Sequence, residues 1–172
     1  MKTLVIHPED PTTAFLDEVY LNRDWTIVTD NKISKRSLIK LINEHDRIIM
    51  LGHGTPFGLI GFNRLIIDST YVYLLREKEV VCMWCNADIF FRKYNLRGFY
   101  TGMIISEEIE ADYMMVSYKE GDVDESNKLF TKALKESIAN TPDVMCEKMK
   151  EIYTPSPNNL VMEYNAKRLY HN

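Results

Sequence analysis

The stretch Arg47-Ile48-Ile49-Met50-Leu51-Gly52-His53-Gly54 decides the fold that we predict for this chain. Its apolar run is continuous rather than alternating, as is typical of a strand that is covered on both faces of a parallel sheet. The run stops at a histidine between two glycines, where the backbone can turn sharply and approach another group closely. A second run of this kind, Val80-Val81-Cys82-Met83-Trp84-Cys85, stops at a cysteine. We therefore expect two buried strands that each end in a reactive side chain.

Strands and helices alternate along the chain up to residue 105, which predicts an α/β fold with a mostly parallel sheet and right-handed connections. Helices on both faces of such a sheet form a three-layer α/β/α sandwich. Further strands are predicted at Thr3–Ile6, Trp25–Thr29, Phe99–Ile105 and, as a short sixth strand, Tyr113–Tyr118. Helices are predicted from Thr12 or Thr13, from Ser34 to near His45, from Asp68 or Ser69 to Glu79, and from Ile89 to Tyr94.

The remaining segments complete the predicted domain. Glycines and short apolar pairs over residues 55–68 predict a small β-hairpin or an irregular loop near the site. Ser126 opens a predicted helix, a second helix runs from Asp143 to Tyr153, and the tail Leu160–Tyr170 suits either a strand or a helix. We expect residues 1–172 to form one domain, with a core over about 3–118 and a helical extension over about 126–172. Whether that extension completes the domain or covers the site stays open.

The composition is that of an ordinary globular protein, with 45% hydrophobic residues, 27% charged residues and a net charge of −4. Acidic and basic residues are mixed, so we expect no nucleic-acid partner. No stretch approaches the ~20 apolar residues of a membrane span, and the first apolar run is too short for a signal peptide. Three cysteines, an odd number, argue against a secreted disulfide framework and favour the cytoplasm. We expect no metal or other cofactor, because the ligand spacings and glycine-rich motifs that hold them are missing.

Two side chains at predicted strand ends carry the candidate chemistry. In parallel sheets, ligands gather outside the carboxyl ends of the strands, where His53 and Cys85 can meet as base and nucleophile. Cys85 precedes a polar turn and a helix, whose N-terminus is expected to lower the pKa of the thiol. Cys82 points to the opposite face of its strand and is predicted to be core. Gly54 leaves an N–H group free to point at a developing oxyanion.

This order of elements, with one strand ending in His53-Gly54 and the next in Cys85, resembles the caspase-like fold of cysteine peptidases. That group includes caspases, gingipains, legumains, separases and clostripain-like enzymes. The resemblance covers residues 3 to about 118, and Ile104-Ile105-Ser106-Glu107-Glu108 is similar to a segment near the site of clostripain-like members. It implies that Cys85 attacks a peptide carbonyl to give a thioester, while His53 protonates the leaving amine and then activates water. The N–H groups of Gly54 and Cys85 would hold the oxyanion.

The resemblance implies a peptide or protein substrate, and the polar residues at the predicted strand ends are the candidates for binding it. They are Asp10, Asn86, Ser106, Glu107 and Glu108. The carboxylates in this set, together with Glu9, would favour a basic side chain in the substrate. The number of copies of the chain that assemble stays open.

Three other functions are weighed beside the peptidase. Met83 stands where caspases place a glutamine and clostripain-like enzymes an aspartate, so a catalytically silent interaction module of the same fold is the first alternative. A thiol redox protein that uses Cys82 and Cys85 is the second, because C-x-x-C is a redox signature. The embedded position of Cys82 disfavours that disulfide. A nucleotide-binding domain ranks last, because no strand is followed by a G-x-G-x-x-G or P-loop pattern.

Overall fold

The computed structural model describes residues 1–172 and is built on a central sheet of six strands. The strands of the molecule are β1 (Thr3–Ile6), β2 (Thr26–Val28), β3 (Arg47–Leu51), β4 (Gly54–Thr55), β5 (Gly58–Gly61), β6 (Arg64–Ile67), β7 (Glu79–Met83), β8 (Gly98–Thr101) and β9 (Leu169–His171). The central sheet has the order β2-β1-β3-β7-β8-β9, and β4, β5 and β6 form a small antiparallel sheet. Every pairing in the central sheet is parallel except that of β9 with β8.

Seven α-helices and two 3-10 helices connect these strands. The α-helices are α1 (Lys35–Glu44), α2 (Val72–Leu75), α3 (Ala87–Tyr94), α4 (Glu108–Tyr113), α5 (Asp122–Ser137), α6 (Pro142–Ile152) and α7 (Leu160–Ala166). The 3-10 helices span Ala14–Val19 and Ser69–Tyr71. Ser34 is the N-cap of α1, as predicted, because its side chain accepts a hydrogen bond from the backbone N–H of Ser37. None of the helices combines the length and the hydropathy that crossing a membrane requires.

Two apolar layers lie on opposite faces of the central sheet. Successive side chains of a strand alternate between faces, so Ile48 and Met50 pack against α1, α2 and α3 on one face. Ile49 and Leu51 pack on the other face, against the first 3-10 helix, α5 and α6. Each fully buried side chain of this size contributes about 1.5–3 kcal/mol to stability. The predicted α/β sandwich with a mostly parallel sheet is thus confirmed.

The strands at Thr3–Ile6 and Arg47–Leu51 have the predicted bounds, but two other strand predictions need correction. The predicted strand Phe99–Ile105 ends at Thr101, because the backbone of Ile105 bonds to a side chain instead of a neighbouring strand. The predicted strand Tyr113–Tyr118 is wrong. Helix α4 ends at Tyr113, and the antiparallel β9 supplies the sixth strand of the sheet instead.

The helix predictions differ mainly in length. The predicted helix from Asp68 or Ser69 to Glu79 is a 3-10 turn followed by the single turn of α2, because Glu79 already belongs to β7. The helix predicted from Thr12 or Thr13 is the 3-10 helix Ala14–Val19. A hairpin and an irregular loop were the two alternatives predicted for residues 55–68, and the structure has the hairpin, since β5 and β6 pair there as antiparallel strands.

The C-terminal residues are part of the sandwich. Helices α5 and α6 form most of the second layer, and the tail contributes both α7 and the edge strand β9. Deep in this part, the hydroxyl groups of Ser126 and Tyr153 share a hydrogen bond of 2.7 Å and are both buried. The elements after residue 121 are therefore an integral part of the fold, because they supply an apolar layer and an edge strand of the sheet.

Candidate functional site

The register of β3 and β7 brings His53 and Cys85 to the same end of the sheet. Leu51 pairs with Met83, and the N–H of Gly52 donates to the carbonyl oxygen of Met83 at 3.1 Å. His53 and Cys85 each follow two residues after this matched pair, on strands that lie about 4.8 Å apart in a sheet. The strand order also reverses between β1 and β3. A crevice is expected at such a reversal, outside the carboxyl ends of the strands.

His53 and Cys85 line one narrow cleft of about 40 Å³, and Ser106 lines it as well. Its walls are largely apolar and include Leu16 and Phe130 from the second layer. This volume suits a few water-sized groups. The imidazole and the thiol make separate sets of hydrogen bonds in this structure.

The thiol of Cys85 is held by groups from the β8–α4 connection. It donates to the carbonyl oxygen of Ile104 at 3.4 Å and to Oε1 of Glu110 at 3.7 Å. Burial and then the Glu110 carboxylate raise the pKa of Cys85 to about 12, so the thiol is protonated at neutral pH. The expected lowering of this pKa by a helix N-terminus is therefore wrong. Asn86, in a left-handed conformation with φ of 66°, separates the thiol from α3, and the sulfur contacts α4 instead.

The imidazole of His53 is held by the loop that follows β1. Its Nε2 lies 2.5 Å from Oγ1 of Thr12 and 3.8 Å from Oδ1 of Asp10. Asp10 was predicted to bind substrate, but its carboxylate accepts hydrogen bonds from the hydroxyl and the backbone N–H of Thr12. Sequence reasoning missed Thr12. The sequence signal was the short Asp10-Pro11-Thr12 turn, in which an aspartate commonly bonds the backbone two residues on.

Gly54 does not line the cleft, although its N–H was predicted to bind an oxyanion. It lies in β4 and packs under the indole of Trp84, so that an added Cβ would stand only 2.1 Å from Cδ1 of that ring. Trp84 is fixed in turn because its Nε1 donates to the carbonyl oxygen of Thr55 at 3.1 Å. Gly52 lines the cleft instead, with a φ of 128° that favours glycine. The close packing of the Trp84 ring therefore leaves no room for a side chain at position 54.

The predicted substrate-binding residues of the Ser106-Glu107-Glu108 segment lie in different places. Ser106 lines the cleft, Glu107 begins α4 as its N-cap, and Glu108 is exposed in the first turn of that helix. Glu110 is a second residue that sequence reasoning missed. Its Oε2 accepts hydrogen bonds from the N–H of Ser106 at 2.7 Å, the hydroxyl of Ser106 at 3.0 Å and the N–H of Glu107 at 3.1 Å.

The remaining predicted substrate residue, Asn86, is the N-cap of α3 and does not line the cleft. The pattern that would have revealed Glu110 is the capping box, in which a residue three positions into the helix bonds back to the N-cap N–H. Of the predicted site residues, the structure therefore brings together His53, Cys85 and Ser106, and adds Asp10 behind the imidazole.

A buried amide from α7 supports the wall that holds Cys85. Oδ1 of Asn165 accepts from the N–H of Ile105 at 2.8 Å, and Nδ2 donates to the carbonyl oxygen of Ile105 at 2.8 Å. Nδ2 also donates to Oγ of Ser126 at 3.3 Å. Asn165 is 1% exposed. The C-terminal segment thus fixes the residues on either side of Ile105, which include both Ile104 and Ser106.

The other cysteines lie outside this cleft. Cys82 is fully buried among the side chains that pack on α1 to α3, and burial raises its pKa well above the ordinary value. Cys146 is buried in α6, and all three cysteines are free thiols. No group of three His, Cys, Asp or Glu side chains is placed to hold a metal ion. Cys85 is therefore the one cysteine that lines the cleft.

The arrangement joins a protonated thiol, an imidazole and an apolar cleft at one end of a parallel sheet. A carboxylate stands against the thiol, and a hydroxyl and a carboxylate stand behind the imidazole. Nucleophilic attack by sulfur with proton transfer through an imidazole needs groups of this kind. No protein-family model matches this chain, and neither a curated protein nor a solved structure gives a match.

Proposed function

We propose that this protein is a cysteine-dependent peptidase of the caspase-like type, with Cys85 as nucleophile and His53 as the group that transfers protons. The observation that carries the proposal is the register of β3 and β7. Both strands end at one cleft, where His53 follows β3 and Cys85 follows β7. A reducing compartment such as the cytoplasm would keep the free thiol of Cys85 reduced.

The proposed reaction begins with a protonated sulfur. The thiol turns from Ile104 and Glu110 towards the cleft, and His53 takes its proton as the sulfur attacks the peptide carbonyl. The S–C bond forms, the C–N bond breaks, and the proton passes from the imidazole to the departing amine. Water then attacks the thioester, gives its proton to His53 and releases the acid, and the proton returns to the sulfur.

The contacts at the cleft favour a small apolar side chain in the substrate. The walls are mostly apolar, and the volume is about 40 Å³. Two of the carboxylates expected to attract a basic side chain have other partners, because Asp10 bonds to Thr12 and Glu107 caps α4. We therefore expect peptides with alanine-sized or valine-sized residues before the cleaved bond to be preferred over those with lysine or arginine.

Labelling with peptide acyloxymethyl ketones, which alkylate the nucleophile of such enzymes, tests the proposal. We expect the wild type and the Cys82→Ala variant to be labelled, the Cys85→Ala variant not to be labelled, and the His53→Ala variant to react much more slowly. Cys82→Ala is the matched control because it removes a thiol from the same strand without touching the cleft. Labelling that persists in Cys85→Ala, or a folded wild type that reacts with no probe and cleaves no peptide, would contradict the proposal.

A catalytically silent module is the second candidate, and the hydrogen-bonded thiol of Cys85 favours it. A thiol with a pKa of about 12 has little thiolate at neutral pH. If the protein is silent, Cys85 will resist small alkylating agents as well as the peptide probes in the folded protein. Rapid alkylation of Cys85 by peptide probes but slow alkylation by iodoacetamide would favour the peptidase, since it shows that a bound peptide draws the thiol into reaction.

A further inference from the structure

The hydroxyl of Thr12 stands between the imidazole of His53 and the carboxylate of Asp10. Nε2 of His53 lies 2.5 Å from Oγ1 of Thr12, and Oγ1 lies 2.7 Å from Oδ1 of Asp10. The same Oδ1 accepts the backbone N–H of Thr12 at 2.9 Å. These three residues form a continuous chain of hydrogen bonds from the loop after β1 to the end of β3.

The protons of this chain can be assigned from the chemistry of its groups. The hydrogen bonds from Thr12 hold the pKa of Asp10 below its usual range, so the carboxylate is ionised and can only accept. A hydroxyl has one proton, and Thr12 donates it to Asp10. Oγ1 of Thr12 can then only accept from His53, which requires a proton on Nε2 of the imidazole.

We propose that Thr12 and Asp10 are positioning residues that hold His53 as the tautomer with its proton on Nε2. Nδ1 is then the nitrogen that takes the proton of Cys85 and passes it to the leaving amine. The role in proton transfer rests on the proposed peptidase function, whereas the tautomer is a property of the resting protein. Oδ1 of Asp10 also lies 3.8 Å from Nε2 of His53, so the carboxylate faces the same side of the ring as the hydroxyl of Thr12.

The loop that carries Thr12 is itself fixed. The N–H of Thr13 donates to the carbonyl oxygen of Asp10 at 3.2 Å, and Oγ1 of Thr13 shares a hydrogen bond of 3.1 Å with Nε2 of the buried His7. These contacts hold the backbone next to Thr12, and Asp10 holds the hydroxyl of Thr12, so the partner of the His53 ring is in place before a substrate arrives. Preorganisation of this kind matters because a misplacement of about 1 Å can cost about 100-fold in rate.

The chain contains a second turn like that of Asp10 and Thr12, which provides a matched control. Asp68 and Thr70 form the same kind of turn, in which Oδ1 of Asp68 accepts the N–H of Thr70 at 2.8 Å and its hydroxyl at 2.6 Å. No histidine is attached to this turn, since the hydroxyl of Thr70 accepts from Lys35 at 2.8 Å. Thr70→Val therefore removes a turn hydroxyl without touching the cleft, whereas Thr12→Val removes the partner of His53.

Nuclear magnetic resonance of the full chain labelled with ¹⁵N-histidine tests the tautomer directly, because protonated and unprotonated ring nitrogens resonate at different frequencies. At a pH where the ring is neutral, we expect His53 to carry its proton on Nε2 in the wild type, in Thr12→Ser and in Thr70→Val. In Thr12→Val we expect a mixture of tautomers. A proton on Nδ1 in the wild type, or an unchanged tautomer in Thr12→Val, would overturn the inference whether or not the protein is a peptidase.

The rate of labelling by the best peptide probe tests the role in proton transfer. We expect the maximal rate constant to fall about 10- to 100-fold in Thr12→Val with little change in probe affinity, to recover to within about threefold in Thr12→Ser, and to be unchanged in Thr70→Val. An unchanged rate in Thr12→Val despite a changed tautomer would overturn the positioning role. If no form is labelled but the tautomers behave as expected, the tautomer assignment stands and the peptidase proposal fails.

Discussion

At the residue scale, the thiol of Cys85 and the imidazole of His53 each depend on contacts with single neighbouring side chains. Burial alone raises the pKa of a thiol, and the carboxylate of Glu110 adds to this because a negative charge disfavours the thiolate. Thr12 lies outside the lining of the cleft but bonds to His53, so the thiol and the imidazole each have a hydrogen-bond partner of their own. The hydrogen bonding of the thiol and of the imidazole thus depends on Glu110 and Thr12.

Replacing Glu110 with glutamine is expected to make Cys85 more reactive. The change removes the negative charge but keeps an amide oxygen near the thiol, so the pKa falls and the thiolate fraction rises. A fall of one pKa unit raises the thiolate fraction about 10-fold at neutral pH. The rate of alkylation then rises about threefold, because a less basic thiolate is a weaker nucleophile, and the gain disappears above about pH 12, where the wild-type thiol is also ionised. The rate of iodoacetamide reaction across pH measures this. Glu108→Gln, an exposed charge in the same helix, is the control, and equal rates in the two variants would refute the prediction.

His7 is expected to make stability depend on pH. Burial lowers its pKa below the ordinary 6.5, against the opposing influence of Asp17. The unfolded chain then binds the proton more tightly, so the contribution to stability is complete above about pH 6.5 and is lost as the pH falls from there towards the lowered pKa. The slope is at most about 1.4 kcal/mol per pH unit.

Urea unfolding between about pH 8 and about pH 5 measures this contribution of His7. In His7→Gln, which can keep hydrogen bonds to Tyr20 and Thr13, we expect a smaller loss of unfolding free energy on acidification than in the wild type. His171→Gln, on the exposed end of β9, should behave like the wild type. A His7→Gln variant with the wild-type pH dependence would contradict the expected direction of the pKa.

At the scale of elements, α7 governs the connection between β8 and α4. Asn165 acts there as a substitute for a neighbouring strand, because its amide satisfies both backbone groups of Ile105. Because the Asn165 amide takes the place of a strand, the chain can leave the sheet after Thr101 without unpaired backbone groups at Ile105. Ile104 then lies against the thiol of Cys85.

Truncating Asn165 to alanine is expected to destabilise the protein by about 2–4 kcal/mol, because two buried backbone groups lose their partners. We also expect faster hydrogen exchange at Ile105 and Ser106, measured by mass spectrometry, and a lower midpoint of urea unfolding. Glu163→Ala serves as the control, since its pair with Lys167 is exposed and worth about 0–1 kcal/mol. Exchange at Ile105 that matches the wild type would show that α7 does not support this connection.

At the scale of the whole molecule, the two ends of the chain build one sheet. The edge strand β9 pairs antiparallel with β8, and α5 and α6 supply the second apolar layer. The cleft therefore has walls from the N-terminal half, such as Leu16, and from the C-terminal half, such as Phe130.

A chain that ends at residue 159 is expected to lose cooperative folding. It lacks α7 and β9, and with them the buried side chains of Val161, Met162 and Leu169, each worth about 1.5–3 kcal/mol. Together with the bonds of Asn165, this loss is comparable with a typical total stability of about 5–15 kcal/mol. Circular dichroism during urea unfolding measures it, and adding residues 160–172 as a separate peptide should restore part of the transition. A truncated chain that unfolds at the wild-type midpoint would refute this account.

The predictions that succeeded from sequence concern local patterns. Strands β1 and β3 were predicted with their observed bounds because a buried strand in a parallel sheet is a short apolar run with abrupt ends. The strand predicted at Tyr113–Tyr118 failed because three of its side chains, Met114, Val116 and Tyr118, pack on a small cluster around Ile105 and Val161 and not on the sheet. Tyr113 and Met115 are exposed. An apolar side chain in the sequence does not state which neighbour it will pack against.

The sequence by itself determined the alternation of strands and helices and the placement of His53 and Cys85 at the ends of two of those strands. Only the tertiary structure decided their partners, because these lie far away along the chain. Thr12 is 41 residues from His53, Glu110 is 25 residues from Cys85, and Asn165 is 60 residues from Ile105. Hydrogen bonds and charges act over a few ångströms in space. The partners of His53, Cys85 and Ile105 could therefore be identified only once the fold had brought these groups together.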